Sequence, residues 1–418
     1  MSTSNGKTRT SFFALLTLCL GLVVAACGGG DEDTAAVPSG KVTGNLTVWA
    51  SGVEGEKLAP LAKQFESENP GLKVKVTPIA QDAAHDKYLT SIAGAQTPDV
   101  GHIGTTWNAE FAKAGALEKV PSSIDAGKFF PSAQSTTEVG GDRLGVPWYV
   151  ETRVLYYRTD LAEKAGVTAP PKDWDELKAM AKALKEQGGA KYGIGLSTNN
   201  WQEWLPFVWQ DGGDAYKDGK FTFDTPQATE ATAFYKSFFD EGLAPSTTPA
   251  GFDITPAFVR GTHPMFFSGP WHLGLIEEAG GKDIKGKWAV AKMPVKSSGT
   301  SFVGGGNMVV FKQSKNKAAA WKFVDWLSQP AQQAKFYEEA AALPAVQAAW
   351  DQPALKQDKN VALFGEQLED SKAPPAIPRW DEVGETLNTE LEKAFSGDTP
   401  PAESTKAIQQ KAESIGTS

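Results

Sequence analysis

Cysteine is nearly missing from this 418-residue sequence: there are two, and histidine is almost as scarce at four. Cys19 lies inside an apolar N-terminal run, so removal of that run leaves Cys27 without a partner. An exported chain with no cysteine pair is held by its core and not by disulfides. His85, His102, His263 and His272 have no metal-ligand spacing. The acidic 1-3-5 pattern of a calcium loop fails at Tyr216, so residues 214–224 read as a plain hairpin turning at Asp218-Gly219. G-x-S-x-G, H-E-x-x-H, C-x-x-C and a phosphate loop ending in G-K-[ST] are all absent, which removes the usual signatures of several hydrolase, redox and nucleotide sites. No cofactor and no metal are expected. Positive charge is outnumbered, 41 Lys+Arg against 50 Asp+Glu, for a net charge of −9. That balance speaks against nucleic acid as a partner.

There is one long apolar run, residues 11–26 (SFFALLTLCLGLVVAA), behind ten residues that carry Lys7 and Arg9 and no acid. It falls short of the roughly 20 apolar residues of a membrane span and has the layout of a secretory signal. Its ending, Val-Ala-Ala-Cys, resembles a bacterial lipobox. The resemblance implies cleavage before Cys27 and a diacylglyceryl group on its sulfur; the alternative is an ordinary signal peptide with an incidental cysteine. Two acyl chains anchor far better than one, which would hold the chain on the outer face of the bacterial cell membrane. Residues 27–44, rich in Gly, Asp, Ser and Pro, then read as a flexible tether. About 390 residues remain, room for two or more domains.

The body opens with a strand at 45–50, a polar glycine-containing loop at 51–56 that holds Glu54, and a helix marked by Leu58, Leu61, Ala62 and Phe65 and stopped at Asn69-Pro70-Gly71. A strand at 74–78, a helix at about 84–93 and a strand near 100–104 follow, before Trp107, Asn108 and Glu110 open another helix. This βαβαβ order predicts an α/β fold with a mostly parallel sheet covered on both faces. Such sheets bind ligands at the loops after the strand C-termini, where Glu54, Trp107 and Glu110 fall. The alternation continues, with helices expected near 160–165, 174–186, 226–239, 317–327, 330–341, 360–369 and 381–395. Strands are expected near 192–196, 265–267, 288–291 and 302–311. The tail beyond Gly397 is polar and weakly helical.

At the centre stands Gly145 to Arg158, GVPWYVETRVLYYR. Val154-Leu155-Tyr156-Tyr157 is a short β-rich run and reads as a buried strand. Just upstream sit Trp148, Glu151 and Arg153. Burying charge is costly unless it is paired or meets a ligand, and both readings are open for this set.

The segments GVPWYVETRVLYYR, PMFFSGPWHLG and FVGGGNMVVFKQSKNKAAAWKFVDWL, in this order behind a lipobox, resemble extracellular solute-binding proteins of carbohydrate ABC transporters, the maltose-binding-like group. The likeness covers about residues 45–395. It implies a two-lobed periplasmic-binding-protein fold with a sugar bound between the lobes. Signal peptide 1–26 and tether 27–44 would precede lobe one at 45–150 plus 308–345 and lobe two at 151–307 plus 346–418. The crossings fall at about 149–157, at Gly304-Gly305-Gly306 and near Leu343-Pro344-Ala345. The implied partners are a di- or oligosaccharide, the permease subunits of an importer and, through Cys27, the membrane; the chain itself is expected to be a monomer.

A pyranose stacks its C–H face on an aromatic ring and offers hydroxyls to carboxylates, amides and guanidinium groups. Thirteen tryptophans are many for this length, and five pairings set them beside polar side chains: Trp107 with Asn108 and Glu110, Trp148 with Glu151 and Arg153, Trp201 and Trp204 with Glu203, Trp271 with His272, and Trp380 with Arg379 and Asp381. Trp271, after the Ser-Gly-Pro turn, is the leading platform, followed by Trp148, Glu151 and Arg153. Glu54, Trp107, Glu110, Trp201, Glu203, Gly305, Asn307, Arg379 and Trp380 complete the expected contacts. Trp174, Trp288, Trp321, Trp326 and Trp350 sit within helices or strands and read as structural. A secreted glycosidase also combines aromatics with carboxylates, but no carboxylate pair is singled out here. A receptor for another solute is the remaining alternative, and the tryptophan–carboxylate pairing favours sugar over it.

Overall fold

The computed structural model describes residues 36–417. The signal sequence and Cys27 lie outside the described residues. The last part of the expected tether belongs to the body: Val42 is buried, and its N–H donates to Asn69 Oδ1 at 3.2 Å.

The first sheet grows from three parallel strands. β1 (Gly44–Ser51) lies between β2 (Leu72–Ile79) and β3 (Val100–Gly104). Parallel neighbours need crossovers, supplied by α1 (Gly52–Lys57), α2 (Ala59–Glu68) and α3 (Gln81–Ala93). Leu46, Val48 and Ala50 of β1 are buried at alternate positions. Of residues 51–56, expected as loop, Ser51 ends β1 and the rest fall in the helical turn α1, and Gly55 lets it close onto β1: a Cβ there would stand 2.1 Å from the Ala50 carbonyl oxygen.

β4 (Val146–Thr152) belongs to this sheet, and β5 (Val154–Arg158) belongs to another. β5 is the middle strand of three, antiparallel to both β6 (Met265–Ser268) and β7 (Trp288–Ala291). β8 (Ser301–Val310) inserts antiparallel between β3 and β4, β9 (Leu343–Pro344) pairs with the far side of β4, and β10 (Ser371–Lys372) pairs with the start of β8. The fold is therefore two-lobed α/β as expected, but its sheets are mixed: strands arriving from the other sheet enter antiparallel, and the three-stranded sheet is antiparallel throughout.

Helices cover both sheets. α4 (Trp174–Glu186) starts where the Asp173 carboxylate accepts from the Glu176 N–H at 2.8 Å, and buries Trp174, Leu177, Met180, Ala181 and Leu184 along one stripe. α5 (Trp201–Gln210), α6 (Pro226–Asp240) and α8 (Trp380–Ser396) share one core with α4, and α7 (Trp271–Ile284) buries Ile276 and Ile284 in the other. Side chains alternate across β5: Val154 and Tyr156 pack into the core shared with the first sheet, Leu155 into the core under α4 to α6. Residues 216–221 form the expected hairpin, with positive φ at Asp218 and Gly219. The polar tail is a full helix, α9 (Pro401–Ile415). Its inner face is Ser404, Thr405, Ile408 and Ala412, of which only Ile408 is a large apolar side chain, so its periodicity gives little hydrophobic signal. The strand expected at 192–196 reduces to one bridge, Gly195 to Phe266.

The glycine run of β8 is dictated by close approach. Gly305 has φ +117°, and a Cβ on it would lie 2.3 Å from the Tyr149 carbonyl oxygen; at Gly306 a Cβ would meet His102 Nε2 at 2.0 Å. Gly305→Ala is expected to lower stability by roughly 1–3 kcal/mol through forced positive φ and steric displacement. Urea denaturation reads this as a lower midpoint at unchanged slope, and a wild-type midpoint would refute the close-approach account.

Candidate functional site

One residue separates the two sheets. Thr152 ends β4, Val154 begins β5, and Arg153 lies between them. The Arg153 backbone is clamped to β8: its N–H donates to Ser301 Oγ at 3.2 Å, and its carbonyl accepts from the same hydroxyl at 2.7 Å. The residue is 6% exposed. The guanidinium donates through Nη2 to Gln202 Oε1 on α5 at 3.0 Å and reaches Glu151 Oε1 on β4 at 3.5 Å. Arg153 Cζ lies 4.9 Å from the Trp271 ring centre and 5.3 Å from that of Phe302. Its Nη1 has no protein partner.

Strand alternation sorts the residues of β4. Val146, Trp148 and Val150 are buried beneath the sheet, whereas Tyr149 and Glu151 are half-buried on the other face. Glu54, at the start of α1, joins them. Burial pushes its carboxyl pKa up, its own backbone N–H pulls it down, and the negative charge of Glu151 raises it again. Burial, then Glu54 and Glu151, drive the Tyr149 phenol well above its ordinary value. Gly304 leaves room for Glu151: a Cβ there would lie 2.8 Å from Glu151 Oε1. Trp271 opens α7 and is 39% exposed, an indole edge that the protein does not cover. Gly269 lies against the ring, where a Cβ would come within 2.1 Å.

Next to this cluster the second lobe contains a cavity of about 580 Å³, within the range of small-molecule sites. Phe252, Ile254, Phe266 and Phe267 form its apolar wall; Ser197, Asn199, Glu203, Ser268 and His272 supply polar groups. Glu203 is fixed by the Ser197 N–H, the Asn200 amide and the Tyr235 hydroxyl, each at 3.2 Å. Burial raises its pKa, and those donors together with Arg153 oppose the rise. His272 Nδ1 is 2.7 Å from Ser268 Oγ, and burial lowers its pKa to about 4, so the ring is neutral at pH 7. The combined surface carries an aromatic edge, the carboxylates of Glu54, Glu151, Glu203 and Glu392, one guanidinium and several hydroxyls and amides.

The structure thus groups Glu54, Glu151, Arg153 and Trp271 at the crossing, with Glu203 in the adjoining cavity and Gly305 in the strand beneath. The other expected contacts go elsewhere. Trp148 is 2% exposed and stacks on Phe336 at 4.4 Å, a consequence of its parity on β4. Trp380 is fully buried, edge-on to Trp201 at 5.3 Å, because it faces the core at the first turn of α8; Trp201 is itself buried between Trp380 and Phe302. Asn307 is buried and binds Asn108 Oδ1 at 2.7 Å and Thr136 Oγ1 at 3.0 Å. Arg379 is taken by Glu382 and by the Ile415 carbonyl at the end of α9. Trp107 and Glu110 gather around His85, where Glu110 Oε2 is 2.7 Å from His85 Nε2. No hydrogen bond, ion pair or ring contact among the described residues joins that group to the crossing cluster. Trp174, Trp288 and Trp321 are buried, and Trp326 and Trp350 pack partly buried against the core.

Gln202, Tyr149 and Phe302 had gone unmarked in the sequence. Tyr149 stands two residues from Glu151 on one strand, which is a readable same-face signal. Gln202 and Phe302 carry none, since their roles depend on where α5 and β8 meet Arg153. Among the described residues no group of three His, Cys, Asp or Glu side chains is placed to hold a metal, and no helix is long and apolar enough to cross a membrane.

The sequence profile of the bacterial extracellular solute-binding proteins matches residues 49–334. The sugar-binding protein MalE of Xanthomonas citri is 32% identical and superposes with a TM-score of 0.85, covering 89% of this chain and 97% of that one. The GacH receptor of Streptomyces glaucescens GLA.O, known unliganded and with acarbose, is 26% identical with a TM-score of 0.78 over 90% and 99% of the two chains. The maltotriose-binding protein of Pyrococcus abyssi is 28% identical over 82% of this chain and 75% of its own.

The raised pKa of Glu54 has a testable sign. Its folded pKa lies above its unfolded one, so the stability that goes with protonated Glu54 is full below 4.5 and is lost as pH rises through the elevated value. Glu54→Gln is expected to match wild type below pH 4.5 and to be the more stable protein at neutral pH. Urea titrations at the two pH values check this, and an equal or lower midpoint for the variant at neutral pH would contradict it.

Proposed function

This chain belongs to the bacterial extracellular solute-binding protein family, and from that premise we propose that it captures a di- or oligosaccharide between two lobes and delivers it to the permease subunits of an ABC importer. The observation that carries the reading is the Arg153 cluster, where β4, α5, α7 and β8 bring carboxylates, a guanidinium and an exposed indole to one place. Trp271 offers a face for the apolar side of a pyranose, while Glu54, Glu151 and Arg153 take its hydroxyls. The adjoining cavity accepts further sugar units, its phenylalanine wall opposite its hydroxyl and amide rim. The relatives named for sugars support this class of ligand.

In this reading lobe one spans 45–150 plus 308–345 and lobe two 151–307 plus 346–418. The sugar touches both, binds the closed arrangement better and shifts the population toward it. The chain acts as a monomer on the outer face of the cell membrane, held by a lipid on Cys27. The sugar leaves unchanged, because the carboxylates serve as acceptors and not as an acid–base pair.

A calorimetric panel of oligosaccharides tests the reading. At least one is expected to bind saturably, to lower the radius of gyration in small-angle scattering and to be recovered intact. Trp271→Ala should weaken it by about tenfold or more, roughly 1.4 kcal/mol. Release of monosaccharide over hours would instead favour a glycosidase. The anchor is tested separately: Cys27→Ala is expected to move the protein from the membrane fraction to the medium, and unchanged fractionation would remove the lipid.

A further inference from the structure

Tyr149 and Glu151, two residues apart, project from the same face of β4. Each stands opposite a glycine of β8: Tyr149 pairs with Gly306 and Glu151 with Gly304. Antiparallel partners share a face, so β8 sets bare backbone beside both side chains. Neither glycine has room for more. A Cβ at Gly306 would come within 2.9 Å of Tyr149 Cε1, and one at Gly304 within 2.8 Å of Glu151 Oε1.

The Tyr149 ring is held in place, edge-on to Trp148 at 5.8 Å and tilted against His102 at 5.5 Å. Its hydroxyl is not. It makes no hydrogen bond among the described residues and, unlike Arg153 Nη1, it opens to solvent. Glu54 and Glu151 lie close enough for their charge to act on the phenol. Carboxylates only accept. They can take the protons of sugar hydroxyls, but they leave the oxygens of those hydroxyls in need of a donor. Arg153 Nη2 is already committed to Gln202 and Glu151. The Tyr149 phenol is a donor that the protein itself does not use.

We propose that Tyr149 is a specificity-determining contact of the sugar site: its hydroxyl donates to the oxygen of a ligand hydroxyl whose own proton goes to Glu54 or Glu151. Such a relay of donor, hydroxyl and carboxylate strengthens each of its bonds. The inference rests on the sugar-capture reading and adds to it the group that is read, a hydroxyl that donates and accepts at once.

Calorimetry with maltotriose, cellotriose and lactose as probes compares the wild-type protein with Tyr149→Phe, which keeps the ring and removes the hydroxyl. The best-bound probe is expected to lose about tenfold in affinity. The urea midpoint is expected to stay at the wild-type value, because the hydroxyl bonds to nothing in the protein. Among monodeoxy analogues of that probe, the one lacking the hydroxyl that Tyr149 reads is expected to bind both proteins equally. Wild-type protein that binds none of the probes would overturn the sugar reading and this contact with it. Saturable binding that Tyr149→Phe leaves unchanged would overturn the contact alone. The same loss with every analogue would give Tyr149 a structural role and overturn it too.

Discussion

The molecule depends on a buried guanidinium at the point where the chain changes sheets. Arg153 is the only residue between β4 and β5, so it is the link by which this stretch passes from one sheet to the other. Its backbone is tied to β8 by the Ser301 hydroxyl, in both directions. Its side chain cannot be left unpaired without a large desolvation cost. It meets that demand with partners from four elements: Glu151, Gln202, Trp271 and Phe302. The pairing is incomplete, since Nη1 finds nothing in the protein. The same residue therefore orders the crossing and packs its guanidinium, with one buried donor unmet, against the partly exposed ring of Trp271.

The glycines of β8 follow from the same geometry. Two neighbouring strands of the first sheet, each next in the chain to a strand of the other, lie against each other here, and β8 passes so close to β4 that a methyl group at Gly305 would strike the Tyr149 carbonyl. The close pass sets Glu151 against Gly304 and His102 against Gly306. His102 is held neutral by burial, with its pKa lowered to about 3, and its Nδ1 faces the Ser51 N–H at 3.3 Å. The acceptor role of Nδ1 puts the proton on Nε2, which no partner meets. Packing is thus tight but not fully satisfied around the glycines of β8.

Much of the fold was legible because its elements obey simple periodicities. α4 shows its stripe, its aspartate cap and its terminal glycines in the sequence, and Val154 to Tyr157 shows a buried strand. What was not legible depended on tertiary partners. The tail helix α9 buries serine, threonine and alanine, so no apolar stripe announces it. Sheet direction was misjudged because strand order, not strand pattern, decides which neighbours run antiparallel. At the site, tryptophans beside polar residues proved a coarse guide. Trp271 sits at an exposed helix start, but Trp148 and Trp380 have the same local chemistry and face inward. One is turned by strand parity and the other by helix phase. Arg379 was lost to a carboxylate three residues away, a local competitor visible in the sequence.

The charge distribution narrows what the cleft can accept. Glu151 and Glu203 act on one guanidinium and Glu54 adjoins Glu151, so the proposed site is anionic, and a ligand bearing a carboxylate or phosphate would meet repulsion in a partly desolvated setting. A neutral polyol meets no such penalty. Each hydroxyl can donate to a carboxylate, and such charge-assisted bonds are stronger than neutral ones. Burial already raises the cost of an ionised Glu54 in the empty site, and a bound hydroxyl lowers that cost by donating to it. Discrimination then rests on hydroxyls that must be present: a ligand lacking one leaves a buried carboxylate without its donor, which is penalised more heavily than a missing methylene in an apolar pocket.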